Sequence, residues 1–129
     1  TRAVTIEAAE AGTVVLDAKE QRRVFSITAT GVELIRLSIT GGFASHGGGV
    51  YLDSAGEATI TDCEIYRNTG NLGSISDGGG LYIAGVATLN ASKVYRNTAG
   101  DEGGGIFIQG GSATLSDCDI FENQASART

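Results

Sequence analysis

The chain repeats itself, and no other feature constrains its fold as strongly. Three glycine triplets, Gly47-Gly48-Gly49, Gly78-Gly79-Gly80 and Gly103-Gly104-Gly105, are each followed by an alternating triple: Val50-Tyr51-Leu52, Leu81-Tyr82-Ile83 and Ile106-Phe107-Ile108. A small turn leads to a second alternation, Ala58-Thr59-Ile60-Thr61, Ala87-Thr88-Leu89-Asn90 and Ala113-Thr114-Leu115-Ser116. A third runs from Cys63-Glu64-Ile65 to Asn68, from Ser92-Lys93-Val94 to Asn97 and from Cys118-Asp119-Ile120 to Asn123. A glycine-poor copy fits the same frame through Phe25-Ser26-Ile27, Val32-Glu33-Leu34 and Leu37-Ser38-Ile39, with Gly42 in the asparagine's place. A fainter copy passes through Val4-Thr5-Ile6 and Val14-Val15-Leu16.

Each unit therefore holds three short strands with period-two alternation. One unit cannot bury its inward residues alone, whereas stacked units bury them in a continuous column. No helical stretch separates the strands, which argues against leucine-rich or ankyrin arrays. The expected fold is all-β: a right-handed parallel β-helix of about five rungs, three strands each, forming a single domain over residues 1–129.

Composition removes other classes. The 129 residues include 20 glycines and no proline, and the glycines have no three-residue period, so the chain is not collagen-like. Val, Ile and Leu recur too regularly for disorder. With a net charge of −6 and nine Lys plus Arg, it lacks the basic face that nucleic acid needs. No apolar run is long enough to span a membrane, and the amino end does not read as a signal peptide. Neither end carries an amphipathic helical stretch that could cap the column. The expectation is a fragment of a longer array, or end-to-end self-association.

The pattern GGG-apolar-aromatic-apolar, then A-T-apolar, then apolar-x-apolar-x-x-N resembles the right-handed β-helix repeats of bacterial surface and secreted proteins. It is similar to the repeats of polymorphic outer-membrane proteins and autotransporter passenger domains, on the pectin-lyase-like fold. The stretch from Gly12-Thr13-Val14 to Arg23-Val24-Phe25 looks like the opening coil of such arrays. Their usual phenylalanine is Ile65, Val94 and Ile120 here, which marks a generic member. The resemblance implies a secreted or cell-surface location. It is specific for fold rather than function, because the architecture carries adhesins, lyases and inert stalks.

Equivalent residues of adjacent rungs lie about 4.8 Å apart, so chemistry can be read down columns. Val50/Leu81/Ile106, Leu52/Ile83/Ile108, Ile60/Leu89/Leu115 and Ile65/Val94/Ile120 are core columns. Cys63, Ser92 and Cys118 share another, placing the thiols about 10 Å apart. A disulfide needs Cα atoms within about 7 Å. Two free, buried thiols are expected, with too few ligands for zinc. Asn68, Asn97 and Asn123 should form a hydrogen-bonded amide ladder at a turn. The glycine triplets suit positive φ and tight corners. His46-Gly47-Gly48-Gly49 mimics an esterase oxyanion loop, but no G-x-S-x-G accompanies it.

The outward columns carry the functional candidates. Tyr51, Tyr82 and Phe107 form an aromatic stripe, able to stack internally or to pack on sugar rings; Tyr66, Tyr95 and Phe121 form a second. Glu64, Lys93 and Asp119 alternate in sign, and Arg67, Arg96 and Glu122 follow one another as a solvated face. Thr59-x-Thr61, Thr88-x-Asn90 and Thr114-x-Ser116 resemble the hydroxyl ladders of ice-binding solenoids. Asn90-Ala91-Ser92 matches a glycosylation sequon but falls within a strand. His46, Asp77 and Glu102, with Asp101 beside the last, line one edge. Two carboxylates at that spacing suit shared protonation, calcium or glycosidase chemistry, and the longer connection Thr69 to Ser76 could wall a cleft there.

No residue set is complete enough to specify an enzyme, and no cofactor is called for unless calcium binds at that edge. The function expected is a structural or adhesive module presenting aromatic and Thr/Ser ladders, with a polysaccharide or a surface protein as partner. Alternatives are a carbohydrate-binding or polysaccharide-degrading β-helix using the Asp77/Glu102 edge, and an ice-binding solenoid.

Overall fold

A computed structural model describes residues 3–71 and 75–126. The first turn contributes β1 (Val4–Glu7) and β2 (Val14–Asp17). The second contains β3 (Phe25–Ile27), β4 (Val32–Ile35), β5 (Leu37–Thr40) and β6 (Phe43–Ala44). The third repeats this order as β7 (Val50–Leu52), β8 (Glu57–Thr61), β9 (Glu64–Tyr66) and β10 (Thr69–Gly70). The fourth holds β11 (Leu81–Ile83), β12 (Val86–Asn90), β13 (Lys93–Tyr95) and β14 (Thr98–Ala99). The fifth holds β15 (Ile106–Ile108), β16 (Ser112–Ser116), β17 (Asp119–Phe121) and β18 (Gln124–Ala125).

Every strand pairs in parallel with its equivalent one turn away, so the chain is an all-β parallel solenoid of about five turns. Four sheets run along it: β1-β4-β8-β12-β16, β2-β5-β9-β13-β17, β3-β7-β11-β15 and β6-β10-β14-β18. The last sheet corrects the expectation of three strands per rung. Its members are two residues long, so they carry no period-two signal to read.

The core columns form in the expected register: Val50 with Leu81 and Ile106, Ile60 with Leu89 and Leu115, Ile65 with Val94 and Ile120. Leu34, Ile39, Ile65, Ile83, Leu89 and Val94 are wholly buried. The same columns open at the first and last turns, where Ile6 is 38% and Ile120 49% exposed.

Many corners between strands are left-handed, and glycine supplies only some of them. The first glycine of each triplet has positive φ (Gly47 61°, Gly78 66°, Gly103 58°). The second and third are required by close approach instead: a Cβ on Gly79 would run into the backbone of Thr98 and Gly104, and one on Gly80 would sit 2.9 Å from Asn97 Nδ2. Elsewhere ordinary residues take the left-handed corner. Arg36, Asp62, Ala91 and Asp117 do so between the second and third strands, and Arg67, Arg96 and Glu122 after the third, with φ of 49–58°. Such a residue costs roughly 1–2 kcal/mol, which the stacked turns must offset at every rung.

Candidate functional site

Inside the turn that follows the third strand, the asparagines form the ladder expected of them. Asn97 Oδ1 accepts from the Asn68 N–H at 2.9 Å and Asn68 Nδ2 at 3.0 Å. Asn97 Nδ2 donates to the Ile65 carbonyl at 2.9 Å and to Asn123 Oδ1 at 3.0 Å. Gly42 ends the ladder, its N–H donating to Asn68 Oδ1 at 2.9 Å. The cysteine column also stands, with Ser92 between the thiols: its hydroxyl oxygen accepts the Cys63 N–H at 3.1 Å. Both cysteines are free, but only Cys63 is buried. Cys118 is half-exposed, because it lies on the last turn where no further rung covers it. Burial pushes the Cys63 thiol above its ordinary pKa.

The edge ahead of the glycine triplets forms in register. His46 and Asp77 are parallel bridge partners, and the Gly78 N–H donates to the Glu102 carbonyl at 3.1 Å. Asp77 Oδ1 accepts the Glu102 N–H at 3.2 Å, while its Oδ2 lies 3.8 Å from His46 Nδ1. That separation is beyond hydrogen-bond reach, and His46 Nδ1 is buried without a partner. Glu102 is exposed and Asp101 half-buried. Among the described residues no three His, Cys, Asp or Glu side chains are grouped to hold a metal ion. Residues 72–74 of the connection proposed as a cleft wall lie outside the described residues; Thr69 and Gly70 belong to β10.

Tyr51, Tyr82 and Phe107 stack in series, with ring centroids 5.3 and 5.5 Å apart, and His46 tilts against Tyr82 at 4.8 Å. The Tyr51 end of this stripe is covered. Arg23 places its guanidinium 4.6 Å from the Tyr51 centroid. The same side chain donates from Nη2 to the His46 carbonyl at 2.7 Å and from Nε to the Gly47 carbonyl at 3.0 Å. Sequence reasoning missed Arg23; its only signal was a position one turn ahead of His46-Gly47. Desolvation raises the Tyr82 pKa, with Tyr51 and Asp77 adding to the effect, and burial lowers that of Arg23.

The second stripe is flatter. Tyr66 and Tyr95 stack at 5.2 Å and 8°, Tyr95 and Phe121 at 4.9 Å and 1°. Glu64, Lys93 and Asp119 are neighbours in register, as are Thr59, Thr88 and Thr114, but Glu33 occupies the hydroxyl column beside Thr59. Arg96 Nε meets Glu122 Oε2 at 2.6 Å.

A family model described as a right-handed beta helix region matches residues 23–127. The chain belongs to the right-handed β-helix family. No curated protein and no solved structure matches it. In this β-helix the matched span begins at Arg23, the residue that covers the Tyr51 stripe, and takes in every asparagine and glycine-triplet rung.

Proposed function

We propose that this β-helix is a structural and adhesive module of a secreted or cell-surface protein, a rigid solenoid that displays hydroxyl and charged columns to its surroundings. The observation that carries the reading is the use made of the Tyr51 stripe. Sugar recognition by stacking needs a free ring face, but both faces of the two tyrosines are taken: Tyr82 lies between Tyr51 and Phe107, and Tyr51 between Tyr82 and Arg23. Rings arranged this way stiffen the outer surface of the solenoid. Family membership supports a β-helix module; the surface location and the adhesive role are our reading.

A Tyr51/Tyr82 double-mutant cycle on stability tests it. Each stacked aromatic pair should show a coupling of about 0.5–1.5 kcal/mol. The thermal midpoint should also stay fixed in calcium and in acidic oligosaccharides. A midpoint raised by either ligand, and restored to baseline by Asp77→Asn with Glu102→Gln, would replace this reading with a ligand-binding edge.

A further inference from the structure

One outward column breaks where the others continue. Asp17, Thr40, Tyr66, Tyr95 and Phe121 are aligned one per turn. Three rings stack, and then the column steps down to threonine. One face of Tyr66 rests on Tyr95. On its other side Thr40 is too small to fill the space that a ring would occupy. The step opens a cavity of about 420 Å³ between Tyr66 and Asp17, with Thr40 in its floor and Lys19, Glu20 and Arg67 around it. Among the described residues no ring or guanidinium stacks on this side of Tyr66, whereas Arg23 covers the equivalent end of the other stripe.

The rim is built with some strain. Lys19, Glu20 and Arg67 all hold left-handed backbone, at φ 54°, 58° and 52°. Two successive non-glycine residues in that region are costly and mark a conformation imposed by its surroundings. Asp17 Oδ1 accepts the Lys19 N–H at 2.8 Å, which fixes the loop against the carboxylate. Arg36 and Arg96 are ion-paired; among the described residues Lys19 and Arg67 are not.

We propose that this notch binds an uncharged pyranose, one ring of a neutral β-linked glucan. A hexopyranose with all its hydroxyls equatorial turns a flat C–H face outward, and Tyr66 offers the matching aromatic face. Its hydroxyls both donate and accept. Lys19 and Arg67 supply donors, and Asp17 and Glu20 supply acceptors. Two cations against two carboxylates leave the notch balanced, which favours a neutral sugar over an acidic or a basic one. The volume lies at the small end of the range for ligand sites and suits one or two rings. The site is separate from the Asp77/Glu102 edge and from the covered Tyr51 stripe.

The test is an NMR titration of the isotope-labelled chain with cellotriose. Saturable shifts are expected at Thr40, Tyr66 and Arg67, with a dissociation constant on the order of 1 mM. Thr40→Tyr extends the ring ladder into the notch, so this variant should keep its circular dichroism and melting midpoint while losing the shifts. Arg67→Gln should weaken binding about fivefold or more. Absence of saturable shifts in the parent overturns the proposal. So do shifts that persist in folded Thr40→Tyr, an affinity unchanged by Arg67→Gln, or tighter binding of a trigalacturonate than of cellotriose. Arg67→Gln also decides the matter if Thr40→Tyr fails to fold. Binding that survives Thr40→Tyr but vanishes in Asp77→Asn/Glu102→Gln would move the site to the other edge and overturn both this proposal and the structural reading. Absent binding leaves the structural reading standing.

Discussion

Replacing Asn97 with alanine tests whether the amide ladder holds adjacent turns together. The substitution removes four hydrogen bonds: two accepted by Oδ1 from Asn68, and two donated by Nδ2 to the Ile65 carbonyl and Asn123 Oδ1. Asn68 Nδ2 keeps the Ile39 carbonyl at 3.1 Å, and Asn123 Oδ1 keeps the Asn97 N–H at 3.0 Å. The Asn68 N–H keeps nothing. Asn68 and Asn97 are both fully buried, so water cannot substitute. An unsatisfied buried donor costs about 1–3 kcal/mol, and each remaining lost bond about 0.5–1.5. The sum is about 2.5–7.5 kcal/mol, a large share of the roughly 5–15 kcal/mol that stabilises a domain.

Urea unfolding followed by circular dichroism and by tyrosine fluorescence measures this cost. With a slope near 2 kcal/mol/M, the midpoint should fall by roughly 1–4 M. Asn123→Ala is the internal control. Asn123 makes the same kinds of bonds, but it is only half-buried, so water replaces part of what is lost. Its cost should be about 1 kcal/mol. Equal costs for the two variants, or less than about 1 kcal/mol for Asn97→Ala, would refute the claim that buried amide pairing joins the turns.

Leu89→Ala should cost about 2–5 kcal/mol because Leu89 is wholly buried, whereas Leu115→Ala in the same column, at 37% exposure, should cost about 1 kcal/mol or less in the same unfolding experiment. A thiol reagent should label Cys118 in the native protein and Cys63 only on unfolding, since Cys63 is buried with its thiolate disfavoured; equal native rates would contradict the assigned packing. Tyr82 and Tyr95 have folded-state pKa values raised above the ordinary 10.0, chiefly by desolvation. The folded state therefore holds these protons more tightly than the unfolded chain, and their contribution is intact below about pH 10 and lost as pH rises beyond it. Denaturant midpoints between about pH 9 and 11 should fall, and less steeply in Tyr82→Phe; an identical slope in that variant would count against the assignment.

The core columns were legible because a strand has a period of two and a solenoid a period of one turn. Once Val50, Leu81 and Ile106 align, their neighbours on both strands must follow. The short fourth strand was not legible, since Phe43-Ala44, Thr69-Gly70, Thr98-Ala99 and Gln124-Ala125 are two residues long and share only a small second residue, too little for a period-two signal. Nor were the corners at Arg36, Asp62, Arg67 and Arg96, because nothing local in those residues demands left-handed backbone. They adopt it because the flanking strands must change direction within one residue. Glycine was the visible marker of tight turns, yet half of its work here is to make room for backbone and for Asn97. The His46/Asp77/Glu102 alignment was legible as a column. What its side chains do was not, because the 3.8 Å gap at His46 Nδ1 depends on the tilt of the ring against Tyr82.

A stacked solenoid sets its own rule for where recognition can occur. A side chain in an unbroken column has both flanks covered by its own equivalents, so Tyr82 and Tyr95 present only ring edges to a ligand. Conserving a residue from rung to rung within the chain thus favours stability and removes contact surface. Surface returns where a column changes size or kind. Gly42 stops the amide ladder, Glu33 interrupts the threonines, and Thr40 uncovers Tyr66. Of these breaks only the one at Thr40 joins a free aromatic face to cations without an ion pair among the described residues and to a fixed acceptor, Asp17, around a cavity. The glycine-poor second rung, where it meets the fainter first one, is therefore where this otherwise repetitive surface departs furthest from its own repeat.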